Sequence, residues 1–226
     1  MQTLKRKIAV NAENKVSSVW LIPESYRASR KVAVILAHGA GNDMENPFLS
    51  YVHEQLAQKG VMTVKFNFPY KERGGKAPDR APLLEETWRK IIAAVQEDDE
   101  FAPKNLFLAG KSMGGRIASH LAAQGQEFNG LIFLGYPLHP PNKLEKLRAE
   151  HLASIQCPML FIQGTRDSLC DLDLLRTALK TVKAQTTLHV IEGGDHSFKT
   201  LKRLGRSELE VWKEIVDTVF DWANQN

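Results

Sequence analysis

Residues 106–115 read Leu106-Phe107-Leu108-Ala109-Gly110-Lys111-Ser112-Met113-Gly114-Gly115. Four apolar residues make a buried-strand run that ends at Gly110, and Arg116, Ile117, Ala118, Leu121 and Ala122 then follow a helical spacing. Between the two stands Gly110-Lys111-Ser112-Met113-Gly114, a G-x-S-x-G pentapeptide. A strand turning this sharply into a helix strains the serine backbone and lifts its hydroxyl clear of the sheet. The flanking glycines leave room for the arms of the turn to approach. The new helix also points free backbone N–H groups at the serine. Gly-Lys-Ser at a strand end also occurs in phosphate-binding loops of pattern G-x-x-x-x-G-K-[ST]. Here the required first glycine is Asn105, and residues 106–109 are strand-like with no glycine-rich cradle, which argues against nucleotide binding. A serine caught by chance in a strand–helix turn would give the same pentapeptide, so its context decides.

The 226 residues are 43% hydrophobic and 25% charged, the balance of an ordinary globular protein and enough for one sizeable domain spanning 1–226. The start, Met1-Gln2-Thr3-Leu4-Lys5-Arg6-Lys7, is not of signal-peptide type, and no run approaches the roughly 20 apolar residues that cross a bilayer. The expectation is a cytoplasmic protein with no membrane association. Two cysteines, Cys157 and Cys170, are too few for a disulfide framework and lack metal-site spacing, so neither a metal nor any other cofactor is expected. The net charge of +4 is mild and its lysines and arginines are interspersed with acids, which gives no nucleic-acid footprint.

Outward from the pentapeptide, residues 4–10 and 16–22 read as a hairpin, followed by a polar loop from Pro23 to Arg30. The continuous apolar run at 32–37 has the composition of a strand buried on both faces, and 61–68, 130–135 and 159–164 read as further strands. Amphipathic spacing predicts helices over 48–59, 83–95, 172–182 and from Ser207 onward, with a short helix over 143–153 and a last strand over 186–191. Residues 70–80 read as a charged, glycine-rich loop. Its Lys71 to Lys76 segment could receive an anionic group, although a solvated loop is the commoner explanation. This alternation implies one mostly parallel sheet with helices on both faces and a ligand site at the carboxyl ends of its strands.

Four strand ends then deliver chemistry to one edge: His38-Gly39-Ala40-Gly41-Asn42, Ser112, Thr165-Arg166-Asp167 and Gly193-Gly194-Asp195-His196. A serine hydroxyl needs a base to take its proton, and that base needs an acid to fix its tautomer. The chain order Ser, Asp, His fits: Ser112 attacks, His196 is general base then acid, and Asp167 orients His196, in preference to Asp195 or Asp171.

With these residues in hand, the chain resembles the α/β-hydrolases, and within them a small dienelactone-hydrolase-like group with testis-expressed relatives and a histone-acetyltransferase-complex subunit. The resemblance rests on His38 to Gly41, Gly110 to Gly115, Gly135-Tyr136-Pro137-Leu138-His139-Pro140-Pro141, Gly164 to Asp167, and Gly193 with Asp195 to Phe198. Dienelactone hydrolases proper carry cysteine at the elbow where this chain has Ser112. The resemblance implies a single-domain α/β-hydrolase with minimal or no lid, since only about twenty residues separate Tyr136 from Met159. It places an oxyanion hole at the backbone N–H groups of Met113 and Ala40. His38, Gly39, Gly41, Tyr136 and His139 are candidates for the substrate pocket, with His38 bracing its turn and His139 either facing the pocket or bridging two backbone segments. The expected activity is hydrolysis of a carboxylic ester, thioester or amide with a small or exposed acyl group, through an acyl-enzyme on Ser112. Acyl transfer to another acceptor is a narrower variant. The alternative is a non-catalytic hydrolase scaffold that binds a protein partner.

Overall fold

The computed structural model describes residues 1–26 and 31–226. The chain forms an eight-stranded sheet, β1 Gln2–Ala9, β2 Lys15–Ile22, β3 Val32–Ala37, β4 Met62–Phe66, β5 Asn105–Lys111, β6 Gly130–Leu134, β7 Met159–Gly164 and β8 Thr186–Ile191, in the order β1-β2-β4-β3-β5-β6-β7-β8. β2 is antiparallel to both β1 and β4, and every other pair is parallel. The parallel strands therefore end along one edge, and the register Ala37↔Gly110 sets the turn after β3 beside Ser112.

Among the described residues six α-helices accompany the sheet: α1 Pro47–Gln58, α2 Pro69–Glu72, α3 Ala81–Gln96, α4 Met113–Ala123, α5 Leu172–Leu179 and α6 Glu208–Gln225. β3 shows why both faces are dry. Its six residues are all buried, with Ala33, Ile35 and Ala37 joining one core and Val32, Val34 and Leu36 the other, as period-two side chains must. The first core packs α3 and α4 through Trp88, Ile91, Ile117 and Leu121. The second packs α1 and α6 through Val52, Leu56, Ile215 and Val219. Sequence signals for helix starts hold in detail: Asn46 accepts from the Leu49 N–H ahead of Pro47, and Ser207 with Glu210 forms a complete capping box for α6.

Two expected elements differ. The loop expected over 70–80 begins with α2, whose Glu72 is fixed by Lys7, Ser17 and Asn67. The helix expected over 143–153 shrinks to a 3₁₀ turn at Glu150–Ser154: the preceding Leu144 and Leu147 remain exposed, so no packing partner supports a longer helix there. Residues 27–30 of the expected polar loop lie outside the described residues. Among the described residues no helix is long and apolar enough to cross a membrane. The two cysteines are free, and burial pushes the Cys157 thiol up to about 11.

Candidate active site

Ser112 links β5 to α4 with φ 52° and ψ −115°, a conformation that costs a non-glycine residue about 1–3 kcal/mol. The turn is too tight for side chains on its arms. A Cβ on Gly110 would lie 2.1 Å from the Gly115 nitrogen, and one on Gly114 would lie 2.7 Å from the carbonyl oxygens of both Ala37 and His38. The buried Trp88 indole donates to the Gly114 carbonyl at 3.1 Å and ties the turn to α3.

The Ser112 hydroxyl stands 2.9 Å from His196 Nε2, and His196 Nδ1 stands 2.7 Å from Asp167 Oδ2. Donation of Nδ1–H to the carboxylate leaves Nε2 to accept the serine proton. Asp167 is fully enclosed, and its other bonds come from the Leu169 N–H at 2.8 Å and the Gln163 side-chain amide at 2.6 Å. Gln163 was not anticipated. Its signal is a lone amide in the apolar run Met159-Leu160-Phe161-Ile162, and its Oε1 also accepts from the Tyr136 N–H at 2.8 Å. The rival acids are engaged elsewhere: Asp195 accepts from the Ser197 and Lys199 N–H groups, and Asp171 caps α5.

His38 Nδ1–H donates to the Gly39 carbonyl at 2.9 Å, while Nε2 accepts from the Phe68 N–H at 3.1 Å. Burial pulls this imidazole down to about 4, so it is a neutral brace for the turn carrying Ala40. Tyr70 reinforces that turn, its hydroxyl 3.4 Å from the carbonyls of Gly39 and Asn42. His139 bridges backbone in the same way, from the Pro140 carbonyl to the Asp171 N–H. Tyr136 is wholly buried, with its hydroxyl donating to the Arg148 carbonyl at 2.5 Å.

Two clefts open on Ser112. One, of about 520 Å³, is bounded by His196, Lys111, Phe48 and Trp212. The other, of about 470 Å³, is bounded by Met113, Arg116 and Arg148. Ala40 and Leu169 line both. Of the residues expected in the pocket, Gly39 lines the first cleft. His38, Gly41, Tyr136 and His139 line neither, because their side chains or backbones are committed to holding the surrounding loops. Lys111 is half-buried as a residue, but its Nζ is fully covered, has no hydrogen-bond partner and sits 5.5 Å from the Phe198 ring centroid. Burial pulls this ammonium down to about 8 against the attraction of Asp167 and Asp195.

Comparison with known proteins follows the same lines. The family model for the alpha/beta hydrolase domain matches residues 30–224. A putative protein-lysine deacylase, ABHD14B of Pongo abelii, is 30% identical over 139 residues, and the match covers 61% of this chain and 62% of that protein. An α/β serine hydrolase without lid from Xanthomonas campestris superposes with a TM-score of 0.76 at 22% identity, over 98% of this chain and 95% of that one. Dienelactone hydrolase from Anabaena variabilis superposes with a TM-score of 0.74 at 20% identity, over 98% and 96%. The superpositions agree in overall fold, and with the family match over residues 30–224 the chain belongs to the α/β-hydrolase domain family.

Proposed function

We propose that the protein is a serine hydrolase that cleaves a carboxylic ester, thioester or amide through an acyl-enzyme on Ser112. The observation that carries this reading is the unbroken chain from the Ser112 hydroxyl through His196 to the enclosed Asp167 carboxylate, at 2.9 and 2.7 Å. In the first half-reaction Ser112 Oγ attacks the acyl carbon while His196 Nε2 takes its proton, and Asp167 stabilises the imidazolium that forms. The tetrahedral oxyanion is received by the N–H groups of Met113 and Ala40, neither of which has a backbone partner among the described hydrogen bonds. His196 then gives its proton to the leaving oxygen, sulfur or nitrogen. Water repeats the cycle on the acyl-enzyme and releases the acid.

The family assignment supports hydrolysis in general. The relative named as a putative protein-lysine deacylase supports including amides of acylated lysine beside esters. The two open clefts, and a connection between β6 and β7 whose helical content is the single 3₁₀ turn Glu150–Ser154 among the described residues, favour small or exposed acyl groups. The test is turnover of p-nitrophenyl acetate by the purified chain and by Ser112→Ala. The wild type hydrolyses the ester, and the variant loses on the order of 10⁶ in kcat if the three residues act as a unit. Hydrolysis that survives Ser112→Ala at the wild-type rate would defeat the proposal.

A further inference from the structure

Most cations around the catalytic edge are spoken for. In the charged segment after β4, Arg73 pairs with Asp79 and also reaches Asn14, so its guanidinium is engaged. Arg116 and Arg148 differ. Among the described residues neither has a carboxylate within ion-pair distance, and both line the cleft that also contains Ser112, Met113 and Ala40. Arg116 lies in the first turn of α4, four residues beyond the non-helical Ser112, and its N–H donates to the Ser112 carbonyl at 3.1 Å, so the two residues are about 6 Å apart along the helix axis. Its Nη1 is 3.4 Å from His120 Nε2, whose Nδ1–H is directed at Glu85, and its Nε is buried without a hydrogen-bond partner. Arg148 is exposed at the mouth, and its backbone is fixed by the Tyr136 hydroxyl and by its own N–H to the Leu138 carbonyl at 2.7 Å. Burial, and then the positive charge of Arg148, pull the Arg116 guanidinium below its ordinary range, so the two cations repel one another across the cleft. The carboxylate on this rim, Asp79, is already neutralised by Arg73 and bonded by the Tyr70 N–H.

The two clefts are also inequivalent in the reaction. His196 lines only the first and must protonate the leaving group, so the leaving group belongs there. Met113 lines only the second, so the acyl portion extends from the oxyanion site towards the arginines. From this juxtaposition we infer that Arg116 and Arg148 form an acyl-side anion subsite, and that the preferred substrates are half-esters, half-thioesters or half-amides of short dicarboxylic acids. The free carboxylate bridges the two guanidiniums, which offer planar, paired donors suited to it. The acyl group is short because the helical turn separating Arg116 from Ser112 spans only a four- or five-carbon chain.

This subsite rests on the serine-hydrolase reading for its placement, and the experiment separates the two. Turnover of p-nitrophenyl hemiglutarate and p-nitrophenyl valerate, which differ by a carboxylate for a methyl, is compared in the wild type, Arg148→Gln, Arg116→Gln and the double variant. Binding of monomethyl glutarate and methyl valerate is measured by calorimetry on Ser112→Ala with and without the same changes. The wild type favours the hemiglutarate at least tenfold in kcat/KM, each single variant cuts that ratio about tenfold, and the double variant abolishes it. Because the result is a ratio and Arg148 is exposed, misfolding does not imitate it. Equal use of the two esters by the wild type, or a preference that survives in the double variant, overturns the subsite. If no ester is turned over while Ser112→Ala still binds monomethyl glutarate in an arginine-dependent way, the hydrolase reading fails and the subsite stands. If valerate is cleaved and glutarate binding ignores the arginines, the reverse holds.

Discussion

At Lys111 the chain holds an ammonium group beside Ser112 with no hydrogen-bond partner, where a methionine would pack at no electrostatic cost. The displacement from 10.5 to about 8 corresponds to roughly 3 kcal/mol of lost stability. The sign follows from proton binding. Below pH 8 the lysine is charged in both states and the penalty is complete. Between 8 and 10.5 the unfolded chain binds the proton more tightly than the folded one, so stability rises with pH, and above 10.5 the penalty is gone. Lys111→Met therefore melts several degrees above the wild type at pH 7, with the advantage shrinking steadily towards pH 10.5. A gap between the two melting curves that is constant over this range would contradict the account. The same strip of sequence carries a second local cost, the positive φ of Ser112, and both lie where a chain selected for stability alone would avoid them.

The elements explain how those costs are sustained. The turn after β3 and the turn after β5 touch through backbone, with Gly114 against the Ala37 and His38 carbonyls. Gly114→Ala must drive the two turns apart, moving Ala40 relative to Ser112. A misplacement of about 1 Å costs around 10² in rate, so kcat falls by that order while the circular dichroism spectrum of the folded variant is retained. Unchanged kcat would show that the two turns are not held to a common geometry. At the other end of the chain, Ser207→Ala removes the reciprocal cap of α6 and costs about 1 kcal/mol, lowering the melting temperature by roughly 2–4 °C. Calorimetry checks this, and an unshifted transition would mean that the cap contributes nothing in the folded chain.

These elements also mark how far the sequence can be read. Runs such as Val32–Ala37 were legible because strands dry on both faces leave a continuous apolar signal. The elbow, the triad order and the Ser207 cap were legible because each depends on neighbouring residues or on chain order. α2 was not, since Lys71-Glu72-Arg73 followed by two glycines has the composition of a loop and becomes helical only with Glu72 anchored on β2. For His139 the sequence leaves pocket and backbone bridge equally open and for Tyr136 it suggests the pocket, and only the folded positions of Asp171 and Arg148 show that both hold backbone together. The Arg116–Arg148 pair has no sequence signal: one residue is on a helix, the other is in a loop, and the sheet order alone brings them to one cleft.

For the molecule as a whole, the parallel register from β4 to β8 converts four distant segments into one edge, and the two cores hold that edge rigid from both faces. No single helix or loop contains the proposed chemistry. Ser112 comes from the β5–α4 turn, His196 from the segment after β8 and Asp167 from the segment after β7. The connection between β6 and β7 carries only a short 3₁₀ turn among the described residues, and both clefts stay open at Ser112. The central claim is that folding alone activates Ser112, and the most direct measurement is labelling of the intact chain by a fluorophosphonate, with the adduct located by mass spectrometry. The account predicts a single stoichiometric adduct on Ser112, slowed by orders of magnitude in His196→Ala and absent in Ser112→Ala. An unlabelled Ser112 in the folded wild type, above all one accompanied by a stable protein partner, would contradict it and favour the scaffold instead.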